Sequence, residues 1–207
     1  ARDVVYHNGC VYVDDRHEGV QCIDVSDPFN PEIVANILSG NLTRHIVIVD
    51  DILYMSDGRD GLKIIDVSVP GSPVFLIRVA LGEGVGSTTI VGNRAFVADL
   101  DEVMHVLNVA DPANPQLITT AEWPGLESSR RIIASDGLFF TANDQLGLRI
   151  TDVTLCLSFA DFDSSGSVGA RDLATLLASW GAKGADLNGD ELVDTQDLAI
   201  LLAAWGS

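Results

Sequence analysis

Two twelve-residue stretches near the end of the chain carry side chains that could bind a metal ion. Residues 161–172 read Asp-Phe-Asp-Ser-Ser-Gly-Ser-Val-Gly-Ala-Arg-Asp, and residues 186–197 read Asp-Leu-Asn-Gly-Asp-Glu-Leu-Val-Asp-Thr-Gln-Asp. Oxygen-bearing side chains stand at positions 1, 3, 5 and 12 of both stretches, and Ca²⁺ takes six to eight oxygen ligands from loops of this length. The spacing therefore predicts two calcium loops, offset by 25 residues.

A helix is predicted after each loop. Apolar residues recur at intervals of three, four and seven, which predicts an amphipathic helix with one apolar face; they are Leu173, Leu176, Leu177 and Trp180, and then Leu198, Leu201, Leu202 and Trp205. Gly181 and Gly206 follow as helix ends. The segment before the first loop is too short for the leading helix of an ordinary EF-hand. The order is loop then helix, twice.

This duplicated order resembles a dockerin type I domain over about residues 158–206. The Leu-Leu-x-x-Trp-Gly endings also resemble dockerin-like C-terminal modules of secreted bacterial proteins. The resemblance implies a small all-α domain at 161–207 with two calcium ions, and it assigns the ligands by loop position, with the backbone carbonyl at position 7. The first site would use Asp161, Asp163, Ser165, Ser167 and Asp172, and the second Asp186, Asn188, Asp190, Leu192, Asp194 and Asp197. A module this small should need the metal to fold.

The two loops differ at position 6, where the backbone turns sharply. Gly166 suits that turn, whereas Glu191 would lose about 1–2 kcal/mol in a left-handed conformation. The second loop has more carboxylates than the first, so the order of affinity stays open. In dockerins the duplicated helix faces contact a cohesin, and the corresponding positions here are Ala170, Arg171, Thr195 and Gln196. A cohesin-like or other cell-surface protein is therefore the expected partner.

The rest of the chain is built from a repeat of about 42 residues. Its markers Asp24, Asp66, Asn108 and Asp152 lie 42, 42 and 44 residues apart. Short runs rich in Val, Ile and Leu, separated by Asp, Gly, Asn and Pro, predict four strands per unit; in the second unit they fall at 45–49, 52–56, 62–67 and 74–79. Four antiparallel strands per 42 residues is typical of a β-propeller blade. The motif Gly-Leu-Lys-Ile-Ile-Asp-Val-Ser at 61–68 resembles the LVIVD-repeat propeller family.

The sequence thus predicts a mostly β protein with about four blades, at 1–42, 43–84, 85–127 and 128–153, and a linker at 154–160 before the module. The fourth unit stops after its third strand. Because closed rings protect their sheet edges, we expect an incomplete ring whose upstream blades were removed by N-terminal truncation. A compact four-bladed ring and an open arc are the alternatives.

No catalytic site is predicted in the repeats. Acidic and amide residues follow the second strand of each unit, where they either form a ligand-binding rim or make hairpin turns; they are Asp14, Asp15, Asp57, Asp60, Asp99, Asp101, Asn143 and Asp144. Arg2, Arg44 and Arg130 recur before the first strands and could pair with acids or face an anionic ligand. Cys10 and Cys22 flank a hairpin turn, which leaves open a disulfide or two unbonded core residues.

Charge and hydropathy narrow the function. The net charge of −18 disfavours nucleic acid and anionic membrane surfaces as partners, and no apolar run is long enough to span a bilayer. We expect a non-catalytic binding protein, secreted or at the bacterial cell surface, with a calcium-stabilised docking module and an unknown ligand on the propeller loops. The alternatives are a fragment of a secreted polysaccharide-degrading hydrolase, whose catalytic part lies upstream, and a purely structural surface protein.

Overall fold

The computed structural model describes residues 1–16, 18–39, 42–82, 84–122, 129–135, 138–143, 147–152, 160, 162, 168–182, 184–187, 192–203 and 205, with the backbone alone at 129, 130, 152 and 203. The chain divides into two compact units. The first unit comprises residues 1–134 and 140–149, and the second comprises residues 135–139 and 150–207.

Fifteen strands are described, in four sheets whose strands follow chain order. The first sheet contains β1 (Asp3–His7), β2 (Cys10–Asp14), β3 (Val20–Asp24) and β4 (Glu32–Ile37), and the second contains β5 (His45–Val49), β6 (Ile52–Ser56), β7 (Leu62–Asp66) and β8 (Val74–Val79). The third contains β9 (Val85–Val91), β10 (Arg94–Asp99), β11 (Val103–Asn108) and β12 (Gln116–Glu122), and the fourth contains β13 (Ser129–Ser135), β14 (Leu138–Asn143) and β15 (Gly147–Asp152). This is a four-blade propeller arrangement. The four strands predicted for the second unit are confirmed to within one residue.

Local chemistry repeats from blade to blade. The turn before β2 uses Asn8 and Gly9, both at positive φ, and the turn before β6 uses Asp50 and Asp51 in the same region. Such residues suit the tight turns that join antiparallel strands. The register also shifts within the third strand of each complete blade, after Cys22, Ile64 and Val106. A bulge of this kind increases local twist and bends the outer strand.

The propeller core lies between neighbouring blades. One cluster joins Tyr12 and Cys22 of the first blade to Ile46 and Leu53 of the second, all of them fully buried. A second cluster joins side chains of the second and third blades, including Leu62 and Val85. The outer strands contribute less, and every residue of β12 is exposed. Inner strands therefore hold the blades together.

The second unit contains helices α1 (Ala170–Ala178) and α2 (Thr195–Ala203). Its core is assembled from pairs of residues that are 25 positions apart; they are Ala160 with Ala185, Phe162 with Leu187, Val168 with Val193, Leu173 with Leu198, and Leu176 with Leu201. The sequence duplication is thus also a duplication in packing. Among the described helices, neither is long and apolar enough to cross a membrane.

Candidate functional sites

The last residue of the first predicted calcium loop fastens that loop at two points. Asp172 is 1% exposed. Its Oδ1 accepts a hydrogen bond from the backbone N–H of Phe162 at 2.7 Å, and its Oδ2 accepts one from the N–H of Gly169 at 2.8 Å. One carboxylate therefore joins loop positions 2 and 9. Because Gly169 is also the N-cap of α1, the same contact begins the helix.

Asp197 repeats this arrangement in the second loop. It is fully buried, its Oδ1 accepts the N–H of Leu187 at 2.6 Å, and its Oδ2 accepts the N–H of Asp194 at 2.8 Å. Asp194 in turn accepts the N–H of Gln196 at 2.7 Å, as an N-cap side chain does. Negative charge in the first turn of each helix is also favoured by the helix dipole.

The two loops are tied to the helices by short backbone contacts. Val193, at loop position 8, donates its N–H to the carbonyl of Ala182 and accepts the N–H of Gly181, both at 2.9 Å. Val168, at position 8 of the first loop, forms an isolated parallel bridge with Trp205. The apolar position 8 therefore links each loop to the end of the other loop's helix.

The described part of the chain includes five of the eleven predicted ligands. Asp172 and Asp197 are buried, Asp186 and Asp194 are half-buried, and Leu192 is exposed. The other six, Asp161, Asp163, Ser165, Ser167, Asn188 and Asp190, lie outside the described residues. Within the described ranges, no three His, Cys, Asp or Glu side chains are grouped closely enough to hold a metal ion. A carboxylate offers about four lone-pair sites, so the two N–H bonds at Asp172 and Asp197 leave capacity for a cation.

The predicted docking positions are accessible. Ala170, Arg171, Thr195 and Gln196 are all exposed and stand in the first turns of α1 and α2. The helices differ from the expected apolar face in one respect, because only part of each Leu-Leu-x-x-Trp pattern is buried. Leu176 and Leu201 have no exposed surface, whereas Leu177, Leu202, Trp180 and Trp205 are 45–52% exposed.

In the first unit, side chains at one repeated position form a belt that links the blades. Asp3 accepts the N–H of Ile46 at 3.2 Å, and His45 accepts the N–H of Thr88 at 3.3 Å. Ser87 accepts the N–H of Ile132 at 3.1 Å. Each acceptor lies near the start of the innermost strand of its blade, and each donor belongs to the next blade. This interblade belt of Asp3, His45 and Ser87 was missed by sequence reasoning because the residue types differ; the constant spacing of 42 was the available signal.

The fourth member of this position is Arg131, which cannot accept a hydrogen bond. Its guanidinium lies 3.1 Å from Asp3 Oδ1, so an ion pair joins the first and fourth blades. The N–H of Val4 then bonds to Asp3 Oδ1 at 3.0 Å instead of to another blade. We call this junction, marked by Arg131, Asp3 and Val4, the seam.

The acids after the second strands are mostly structural. Asp57 is fully buried and pairs with Lys63 Nζ at 2.5 Å, and Asp99 is 2% exposed with His105 Nε2 at 3.8 Å. Lys63 and His105 occupy the same repeat position on the third strand. Gly82 lies so close to Asp99 that a Cβ atom would be 1.8 Å from Oδ2, which explains glycine in this connector. These pairs favour the hairpin interpretation over a ligand-binding rim.

The remaining members of that set differ in exposure. Asn143 is buried, Asp15 and Asp60 are half-buried, Asp101 is exposed, and Asp144 lies outside the described residues. Of the arginines expected near the first strands, Arg2 is exposed and Arg44 is half-buried, while the side chain of Arg130 is not described.

Asp14 has no basic partner of this kind. It is fully buried; its Oδ1 accepts the N–H of Arg16 at 2.8 Å, and its Oδ2 has no hydrogen-bond partner. Burial raises the pKa of Asp14, the bond from Arg16 opposes that rise, and nearby Asp3 adds to it. In the next blade Ser56 stands at the same position and bonds to Thr88 at 2.9 Å. Asp14 faces an interface without an equivalent hydroxyl, since Ile46 occupies the place of Thr88.

The two N-terminal cysteines are buried and unbonded. Cys22 pairs in register with Tyr12, whereas Cys10 pairs with Asp24, so the cysteines are diagonal neighbours on adjacent strands. Burial raises the pKa of the Cys22 thiol to about 11. Both side chains therefore act as small core residues between the first two blades.

Comparison with known proteins supports the repeat assignment. The LVIVD repeat model matches residues 1–38, 40–80 and 85–121. Similar solved structures include the computationally designed Ika4 protein, with a TM-score of 0.58, 8% identity, and coverage of 72% of this chain and 89% of that chain. The designed Ika8 protein gives 0.57, 8%, 72% and 45%, and a chain of the Mitotic Checkpoint Complex gives 0.57, 13%, 73% and 46%.

At these identities the structural likeness shows the fold alone. This chain spans less than half of the Ika8 and checkpoint chains that it matches. No curated protein matches the sequence. Because the three repeat matches together cover more than half of its residues, the chain belongs to the LVIVD repeat family.

Proposed function

We propose that this protein is a non-catalytic binding protein, secreted or at the cell surface, whose C-terminal unit is a dockerin-like docking module stabilised by two calcium ions. The propeller repeats would serve as a second interaction platform. The observation that carries the proposal is the pair Asp172 and Asp197, which fasten two loops through the same two backbone positions.

The loop geometry supports calcium binding for a physical reason. One buried carboxylate holds loop positions 2 and 9 together, so the intervening oxygen-bearing positions belong to a short segment with fixed ends. Asp186 and Asp194 of the second loop are half-buried and acidic. Bringing several carboxylates together is unfavourable unless a cation compensates their charge, and Ca²⁺ prefers such oxygen ligands.

The position of the helices supports docking. The four exposed first-turn residues of α1 and α2 are duplicated at a spacing of 25, as are the partly exposed Leu177 with Leu202 and Trp180 with Trp205. Exposed tryptophan and leucine beside polar residues are typical of protein-binding surfaces. The partner would therefore be a protein that contacts the helix faces.

The calcium part is tested by thermal unfolding of the whole chain, monitored by calorimetry with millimolar Ca²⁺ or with chelator. We expect Ca²⁺ to raise the transition of the second unit by at least several degrees. Asp186→Asn should reduce that gain, whereas Asp111→Asn, at an exposed propeller residue, should leave it unchanged. Identical transitions with and without Ca²⁺ would rule out calcium stabilisation.

The docking part is tested by interferometry against immobilised type I cohesin domains. Binding should require Ca²⁺, and the double variant Arg171→Glu/Gln196→Glu should weaken it by about tenfold or more, because the partner contact uses both helix starts. Glu122→Gln, at an exposed propeller position, is the matched charge control. Calcium-stabilised chain that binds no cohesin would refute the cohesin-like partner.

A further inference from the structure

The first blade exposes a flank that the other blades bury. Val4 and Tyr6 of β1 are 62% and 68% exposed. The residues that replace Val4 in the next three blades, Ile46, Thr88 and Ile132, are all 0% exposed. In the second blade this position packs against the preceding blade, since Ile46 belongs to the cluster that includes Tyr12. The flank around Val4 and Tyr6, here the leading flank, is therefore an unoccupied copy of the interblade interface.

The fourth blade exposes the complementary half of the same interface. Leu148 of β15 is 66% exposed, and Ile133 of β13 is 51% exposed. The residues at the position of Leu148 in the first three blades, Val20, Leu62 and Met104, are 0%, 0% and 1% exposed. Val20 and Leu62 pack in the clusters formed with the following blade. We call the surface of Ile133 and Leu148 the trailing flank.

We propose that the leading flank binds the trailing flank of a second copy of this chain. The two flanks are chemically the two sides of the interface that joins blade to blade throughout the fold, so the chain carries both halves of a head-to-tail contact. An interface of this kind closes into a ring or continues as a chain of copies, depending on its rotation. The occupant is a second copy because its trailing flank supplies the apolar side chains that match Val4 and Tyr6.

The seam does not prevent this exchange. The ion pair between Arg131 and Asp3 is half exposed on the arginine side, and exposed ion pairs contribute little to stability. The same pair can form between two copies, because Asp3 and Arg131 border the leading and trailing flanks respectively. Burial of Val4, Tyr6, Ile133 and Leu148 favours association through the hydrophobic effect. The net charge of −18 opposes it, so association should strengthen as salt is added.

The test is sedimentation equilibrium of the whole chain over a range of concentrations, at low and moderate salt. We expect a mass that rises with concentration to at least twice that of the 22.0 kDa chain, and more readily at moderate salt. Tyr6→Glu and Leu148→Glu should each raise the dissociation constant by about tenfold or more, because each places a charge in the apolar contact. Ile118→Glu, at a 47% exposed position of the outer strand β12, is the control and should leave self-association unchanged.

Mixing the two variants distinguishes the arrangement of the contact. The Tyr6→Glu chain retains its trailing flank and the Leu148→Glu chain retains its leading flank, so the mixture should recover one intact interface per pair of chains. Circular dichroism must match the wild type for each variant, which is expected because both positions are exposed. A wild-type chain that stays monomeric at all concentrations would overturn the proposal, as would self-association that Leu148→Glu leaves unchanged.

Discussion

At the level of single residues, the propeller contains one buried acid whose position in the next blade is filled by serine. Asp14 occupies the place of Ser56, but it lacks the hydroxyl partner that Ser56 finds in Thr88. A buried carboxylate oxygen without a hydrogen bond is costly, chiefly while it is charged. Its effect on stability should therefore depend on pH.

The first prediction concerns Asp14→Asn. Burial raises the pKa of Asp14 above its usual value near 3.8, so the folded state holds the proton more tightly than the unfolded chain does. The contribution of Asp14 is most favourable below that usual value and is lost as pH rises through the raised pKa. At pH 7.5 the substitution should raise the free energy of unfolding by about 1 kcal/mol, and near pH 3 the gain should vanish. Urea denaturation measures both, with Asp15→Asn as control; destabilisation at pH 7.5 would contradict the account.

The second prediction concerns His45, whose pKa is lowered to about 4 by burial, partly offset by Asp3. The folded state therefore keeps this imidazole neutral, in the form that accepts the N–H of Thr88. Stability is complete above pH 6.5 and is lost as pH falls towards 4, by about 2 kcal/mol between pH 7.5 and 5. In His45→Gln, denaturation midpoints should change less between these two values. The control His7→Gln should keep the wild-type dependence, and an equal loss in all three proteins would contradict the assignment.

At the level of structural elements, the inner strands are linked by the interblade belt as well as by apolar packing. The acceptors Asp3, His45 and Ser87 each receive an N–H from the following blade. A buried N–H that loses its acceptor costs about 1–3 kcal/mol. The belt should therefore contribute measurably to the association of neighbouring blades.

The third prediction tests this belt through Ser87→Ala. The substitution removes the acceptor for Ile132, and Ser87 is fully buried, so the free energy of unfolding should fall by about 1–3 kcal/mol. Ser72→Ala, at an exposed turn residue, is the matched control and should change it by less than about 0.5 kcal/mol. If the two substitutions have equal effects, the belt does not stabilise the interface.

The strands were predictable from sequence because local chemistry repeats with the period of the fold. Runs such as Ile46-Val-Ile-Val49 are bounded by turn residues, and the predicted limits of β5 to β8 agree with the structure to within one residue. The belt was not predictable from residue type, since an acid, an imidazole and a hydroxyl perform the same task. Asp57 also looked like a rim residue until Lys63 was found beside it. For the loops, type and spacing indicated Asp172 and Asp197, but not that each holds two backbone N–H groups.

At the level of the whole molecule, charge and exposed apolar surface set the expected interactions. A net charge of −18 favours binding of divalent cations and opposes association between copies. The leading and trailing flanks and the exposed helix residues provide separate apolar surfaces for protein contacts. Calcium binding would lower the negative charge of the module, so docking through its helices should depend on the metal.

Calorimetric titration of the metal-stripped whole chain with Ca²⁺ tests the central claim most directly. If both duplicated loops bind the ion, the titration should give two ions per chain, and Asp186→Asn should weaken the site that contains it. Asp111→Asn should leave both sites unchanged. No binding at millimolar Ca²⁺, or binding unaffected by Asp186→Asn, would contradict the account.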